Sequence, residues 1–210
     1  RIATAAERVG RRADSVRLVV VTKGRPPAAI SALYDRGQRD FGENRAQELA
    51  SKVGDLPSDI IWHFIGPVQS NKVRTVRGAV SLLHSLDRAE LVSAWVKGPG
   101  APPPALVQVR IGSEAQKHGV DPGETLALCK RARASGIEVT GLMTIPPMVA
   151  RPADARPYFD ELVGVADEVR QTIPTASELS MGMTDDFEVA IEAGATIVRI
   201  GRAIFDELPN

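Results

Sequence analysis

Cysteine occurs once in the 210 residues, at Cys129, so no internal disulfide can form. Net charge is also missing, because 26 Lys and Arg offset 26 Asp and Glu. Without a summed positive field the chain has nothing with which to gather nucleic acid or anionic membrane, and small molecules are the expected partners. No apolar run reaches membrane-spanning length, and no charged stretch followed by an apolar one opens the chain, so the expected compartment is the cytoplasm. Arg1 rather than methionine stands first, from which a few preceding residues are expected. The three histidines, His63, His84 and His118, lack carboxylate or cysteine partners at ligand spacing, and no metal site is expected.

What is present is the composition of a soluble globular chain, 43% hydrophobic and 25% charged, which excludes disorder as a global description. The length suits one domain over residues 1–210. Short Val- and Ile-rich runs alternate with stretches at helical period, the pattern of parallel strands joined by crossover helices. The predicted strands are Arg17–Lys23, Arg39–Glu43, Ile60–Ile65, Val80–Leu86, Ala105–Ile111, Glu138–Met143, Glu178–Met181 and Thr196–Ile200. Between them the pattern predicts helices over Pro27–Arg36, Arg45–Val53, Ser70–Arg77, Ala89–Val96, Pro122–Ala134, Pro152–Thr172 and Asp185–Ala193, with an amphipathic segment Ile2–Ala13 in front. Eight units predict a single closed (β/α)8 barrel with an extra N-terminal helix. A doubly wound sheet would want a Gly-rich turn after the first strand, and none is there.

Such barrels build their sites where strands end on the C-terminal face, which directs attention to a few positions. Lys23 closes the run VVVT; an amine there, partly desolvated and near Arg199, would suit attack on a carbonyl, while a solvated strand-end lysine is the plainer alternative. Lysine is scarce, six against twenty arginines, which favours a purpose for one at the rim. Ser180 and Gly201, after the seventh and eighth strands, suit an anion cradle of hydroxyl and bare backbone, although Ser180 alone could serve local backbone. Asp185 and Asp186 are both expected at the cap that opens the next helix, with Glu188 completing a capping box from Asp185. Arg199, in the apolar strand TIVRIG, must answer another group, and an ion pair with Glu43 is one possibility. Asn44 either caps the helix starting at Arg45 or reaches a ligand. His63 and Cys129 suit the core.

The motifs VVVTKGRP, FGENRAQEL, WHFIGPVQSNKVR, GLMTIPP and LSMGMTDDFEVAIEAGATIVRIG, in that order from Leu18 to Phe205, resemble the pyridoxal phosphate homeostasis protein family, related to the N-terminal barrel of alanine racemase. The resemblance implies pyridoxal 5'-phosphate held as an internal aldimine (a Schiff base) on Lys23. It implies phosphate contacts at Ser180, Met181, Gly201 and the following Arg202, Arg199 facing the pyridine nitrogen, and Asn44 close to the ring. It further implies a monomeric carrier or buffer in vitamin B6 homeostasis, with apo-enzymes of the same cofactor as possible recipients and no established reaction. Two positions depart from the pattern: Arg202 replaces the usual Ser or Thr, so it either pairs with phosphate or swings to solvent, and Pro67 replaces a usual His or Gln.

Racemisation would need a second acid-base group opposite the lysine, usually a tyrosine. The two tyrosines, Tyr34 and Tyr158, fall on predicted outer helices, and the β-rich second domain of racemases is not expected within these 210 residues. The alternatives kept open are a racemase-like enzyme that borrows its second base from a partner, and a cofactor-free lysine aldolase.

Overall fold

The computed structural model describes residues 1–112 and 118–206. Helix α1 (Ile2–Arg8) leads into β1 (Arg17–Val21), α2 (Pro27–Tyr34), β2 (Asp40–Glu43) and α3 (Ala46–Val53). There follow β3 (Ile61–Phe64), α4 (Val73–Arg77), β4 (Leu82–Leu86), α5 (Ala89–Trp95), β5 (Ala105–Gln108) and α6 (Thr125–Ala134). The chain ends with β6 (Val139–Met143), α7 (Arg156–Thr172), β7 (Glu178–Ser180), α8 (Phe187–Ala193), β8 (Ile197–Ile200) and α9 (Arg202–Phe205). Among the described residues the strands are parallel and sequential, and β1 closes on β8 with Val19 opposite Arg199. The expected barrel with its extra N-terminal helix is therefore what the chain forms.

Strand residues alternate in direction, and this sorts the core into two layers. Val20, Phe41, Trp62, Phe64, Leu83, Val107, Leu142 and Val198 face the helices in the large outer core. A much smaller apolar cluster, Val19, Leu82, Leu106, Met143 and Ile197, comes from the opposite face of five strands and fills the barrel interior. By the same alternation His63, His84, Ser180 and Arg199 also point inward, and all four are buried. The interior is therefore part apolar plug and part polar chain. Helix α1 packs on α8, where Arg1 and Arg8 pair with Glu188 and Glu192.

Several boundaries are tighter than the pattern predicted. Strand β1 stops at Val21 because Gly24, at φ 68°, and the bond from Arg25 N to Thr22 O turn the chain. Strand β5 stops at Gln108 because the chain beyond it pairs with the segment at Val120. Helix α1 ends at Arg8, followed by Gly10 at φ 69°. Helix α8 starts at Phe187 rather than Asp185, since Asp186 at φ −130° is not helical. The Pro- and Gly-rich loop before β5 is held by Arg77, whose guanidinium donates to the carbonyls of Trp95, Pro99 and Gly100 at 2.7–2.8 Å. Among the described residues no helix is long and apolar enough to cross a membrane.

Cys129 lies on the buried side of α6, and burial pushes its thiol up to about 12. At pH 8 the reactive thiolate is then about ten-thousandfold scarcer than the thiol. Iodoacetamide is expected to leave the native protein unlabelled and to modify it once guanidinium unfolds the barrel. Rapid labelling of the native state would mean that α6 does not pack as described.

Candidate functional site

At the C-terminal mouth of the barrel lies a cavity of about 360 Å³. Val21 and Lys23 line it from the end of β1, Asn44 from β2, and Ile65 to Pro67 from β3. Ile145 contributes from the loop after β6, Met183 to Asp185 from that after β7, and Arg199, Gly201 and Arg202 from β8 and its turn. Of the seven positions singled out in the sequence, five therefore meet around one space. Three cations, Lys23, Arg199 and Arg202, face one carboxylate, Asp185, across it.

Lys23 differs in one respect from the expectation of a partly desolvated strand-end amine. It sits in the turn two residues beyond β1 and is exposed. Its backbone is nevertheless fixed from both sides by residues that sequence reasoning missed. Gly24 N donates to Glu48 Oε2 at 2.7 Å, and Lys52 Nζ donates to Thr22 O at 2.8 Å. Lys52 is itself held by Glu43 Oε1 at 2.5 Å, and Thr22 Oγ1 donates to the same oxygen at 2.7 Å. Glu43 and Lys52 are buried, so helix α3 and strand β2 clamp the turn that carries Lys23. The i, i+4 spacing of Glu48 and Lys52 was the only available signal, and it reads equally as a surface pair.

Arg199 forms the floor of the cavity and is 3% exposed. It does not pair with Glu43, which Lys52 already occupies. Its Nη1 donates to Ser180 Oγ at 2.6 Å and its Nη2 to Thr144 O at 2.9 Å. Burial pushes its guanidinium down to about 10, so it stays cationic at neutral pH. Ser180 and Met181 do not line the cavity. The Ser180 hydroxyl, expected to face phosphate, is engaged inside the barrel by Arg199 and lies 2.9 Å from His84 Nδ1. Met181 is fully buried in the outer core, its backbone N–H bonded to Ile197 O.

The other rim groups are open to a ligand. A Cβ on Gly201 would come within 2.9 Å of Val21 O, so a bare backbone is required there. Arg202 Nη2 donates to both oxygens of Asp185 at 2.5 and 2.7 Å. Asp185 is therefore not the cap of α8. That position belongs to Asp186, whose carboxylate accepts from Met183 N at 2.6 Å and is pushed up by burial. Glu188 turns to Arg1 instead of completing a capping box. Asn44 does not cap α3, where Arg45 holds the cap position without a side-chain bond, and its Oδ1 is buried without a hydrogen-bond partner. An orphaned acceptor costs about 1–3 kcal/mol until a donor reaches it. Among the described residues no cluster has the makeup of a metal site.

The bond from Gly24 N holds the Glu48 carboxyl below its ordinary range, with Lys52 helping and burial opposing. A carboxyl depressed in the folded state adds stability above its ordinary pKa and loses it as the pH falls through the depressed value. The urea midpoint of Glu48→Gln is therefore expected to trail wild type at pH 7 and to converge on it in acid, once the pH has fallen through the depressed value. A gap that does not change with pH would show that the clamp is not ionic.

The model for the alanine racemase N-terminal domain matches residues 1–209. A pyridoxal phosphate homeostasis protein of Aquifex aeolicus is 43% identical over 99% of this chain and 93% of its own length. The structure of PipY from Synechococcus elongatus, solved with PLP bound, is 34% identical, covers 98% of this chain and all of that one, and superposes with a TM-score of 0.84. A lysine/ornithine decarboxylase of Vibrio vulnificus, at 16% identity and a TM-score of 0.71 over 97% of this chain and 59% of its own, shares the fold. Match length and identity together place the chain in the alanine racemase N-terminal domain family and, within it, among the pyridoxal phosphate homeostasis proteins.

Proposed function

We propose that this protein binds pyridoxal 5'-phosphate at the barrel mouth, attached through Lys23, and serves vitamin B6 homeostasis as a carrier or buffer. The observation that carries the reading is the cavity itself, where a lysine and two arginines face a single carboxylate. That surplus of two positive charges matches a phosphate monoester, which carries about −1.5 to −2 at pH 7. The PLP bound to PipY, at 34% identity over the whole barrel, supports the same assignment.

The residues present fit the group. When bound, the cofactor supplies an aldehyde able to condense with an amine. Lys23 offers that amine from a clamped backbone. Gly201 and Arg202 take the phosphate end, where bare backbone and a guanidinium suit an anion. Asn44 Oδ1 offers the acceptor that no protein donor satisfies. Arg199 faces the ring from the cavity floor as a cation, with Ser180 bonded to it inside the barrel and Met181 packed in the outer core.

A holding role is favoured over catalysis by what surrounds the cavity. Tyr34 donates to Asp59 at 2.6 Å and Tyr158 lies in α7, and neither lines the site. Among the described residues no tyrosine stands in the lining, and its one carboxylate, Asp185, is engaged by Arg202. A guanidinium at a ring nitrogen donates a hydrogen bond to it without giving up the proton, so the nitrogen stays unprotonated, which weakens the electron sink on which carbanion chemistry depends. Apo-enzymes are the natural recipients of a held cofactor.

Incubation with pyridoxal phosphate is expected to turn the protein yellow, and borohydride is expected to bleach it and fix a pyridoxyl group on Lys23. Lys23→Ala should lose the adduct; an adduct on another lysine, or none, overturns the attachment. The racemase reading predicts deuterium incorporation at Cα of alanine beyond that given by free cofactor, and none is expected here. Arg202→Ala is expected to weaken binding of pyridoxal phosphate about tenfold while leaving pyridoxal, which lacks phosphate, unaffected. Equal losses for both compounds would remove Arg202 from the phosphate end.

A further inference from the structure

Beneath the cavity a line of buried side chains crosses the whole barrel. Arg199 Nη1 donates to Ser180 Oγ at 2.6 Å, and Ser180 Oγ lies 2.9 Å from His84 Nδ1. His84 Nε2 lies 2.9 Å from His63 Nδ1, and His63 Nε2 lies 3.0 Å from Asp40 Oδ1. Ser180, His84 and His63 are fully buried. Asp40 opens β2 at the far end of the barrel, where Arg17 approaches it at 3.7 Å and pairs with Glu178 at 3.2 Å. The line therefore runs from a cation at the cavity floor to a carboxylate at the opposite rim.

We propose that Ser180, His84, His63 and Asp40 are positioning residues that hold the Arg199 guanidinium in one orientation at the cavity floor, through hydrogen bonds that all run toward Asp40. The direction follows from the two ends. A guanidinium only donates, so the Ser180 hydroxyl accepts from it and passes its own hydrogen to His84 Nδ1. A carboxylate only accepts, so His63 Nε2 carries a hydrogen. With both rings neutral, His84 Nε2–H then donates to His63 Nδ1, and every donor and acceptor in the line is used. The reverse direction would set His63 Nε2 against the carboxylate with no hydrogen between them. Burial above all, with the Arg199 guanidinium nearby, holds His84 well below its ordinary pKa, in keeping with a neutral ring.

The consequence reaches the cavity. Arg199 is buried among strands and would otherwise have one fixed acceptor, the carbonyl of Thr144. Ser180 fixes its second arm, and a serine hydroxyl can rotate. His84 stops that rotation by accepting its hydrogen, and Asp40 fixes the ring tautomers that make this possible. Asp40 therefore acts on the cavity floor without contacting it. This inference rests on the cofactor-binding reading only for its effect on affinity; the line itself is a property of the protein without ligand.

The test uses the full chain. Nitrogen-15 NMR of the histidine rings in ligand-free protein at pH 7 is expected to show both rings neutral and protonated at Nε2. An imidazolium, or a proton on Nδ1 of either ring, overturns the proposal. Asp40 is about a fifth exposed, 21%, so its replacement should leave the barrel folded. Asp40→Ala is expected to free Arg199, seen as averaging of its Nη resonances, whereas Asp40→Asn, which keeps an acceptor oxygen, should retain the wild-type pattern. In parallel, Asp40→Ala should weaken pyridoxal phosphate binding about tenfold and Asp40→Asn by about twofold or less. Wild-type Arg199 resonances in Asp40→Ala would also overturn it. Failure of the wild type to bind pyridoxal phosphate would sink the functional reading alone, since the ring and guanidinium signals are read without ligand.

Discussion

A guanidinium buried inside a parallel barrel is the constraint around which this molecule is arranged. Arg199 sits on a strand whose inward neighbour is Ile197 and whose outward neighbours Val198 and Ile200 belong to the outer core. A charge in that place has no water to solvate it, and its cost is bearable only if its donors find acceptors. Two carbonyl-or-hydroxyl oxygens provide them, and the hydroxyl is the head of a polar line that displaces apolar filling from the barrel. The small size of the interior apolar cluster follows: space usually filled by branched side chains is given to two imidazoles, a serine and the arginine itself. Stability is left to the outer core, where Phe41, Trp62, Phe64, Trp95 and Phe159 pack.

The two lysines near the mouth show how environment separates structure from chemistry. Lys52 is buried and bonded to Glu43, Glu48 and the Thr22 carbonyl, so its ammonium is held by two carboxylates and closed to any ligand. Lys23 stands in the very turn that Lys52 secures, yet its own side chain is exposed and faces the cavity. A nucleophilic amine needs a fixed root and a free tip, and this division of labour supplies both. Strand pairing alone would not have done so, because the ladder stops at Val21.

The barrel was legible from sequence because parallel strands buried on both faces write continuous apolar runs, and eight such runs alternate with helical period. The cavity was legible because the C-terminal ends of those runs carry Lys23, Asn44, Arg199, Gly201 and Arg202. What escaped was direction. Ser180 has the residue type for an anion cradle, but β7 pairs with β8 so that its hydroxyl meets Arg199 from within the barrel, a cross-strand relation no single run displays. His84 looked isolated for the same reason: its partners lie 21 and 96 residues away along the chain. Parity with the inward Leu82 is the signal that could have found it. Of the two aspartates expected at the cap of α8, Asp186 takes the position because its backbone is the non-helical one that a cap requires, and Asp185 turns to Arg202.

Arg202 bears on whether such a site holds or exchanges its ligand. An arginine waiting unpaired for phosphate would gain the full attraction on binding, and its loss would oppose release equally. Here Asp185 already engages it through both oxygens in an exposed setting, where an ion pair is worth about 0–1 kcal/mol. On the proposed reading a phosphate at Arg202 competes with that carboxylate, so its net gain is smaller than at an unpaired guanidinium. Departure of the ligand leaves no orphaned charge, because Asp185 is there to take the guanidinium back. The hydroxyl usual at this position would have no competing carboxylate of this kind. A rim that exchanges one ion pair for another is what the proposed carrier role asks of it.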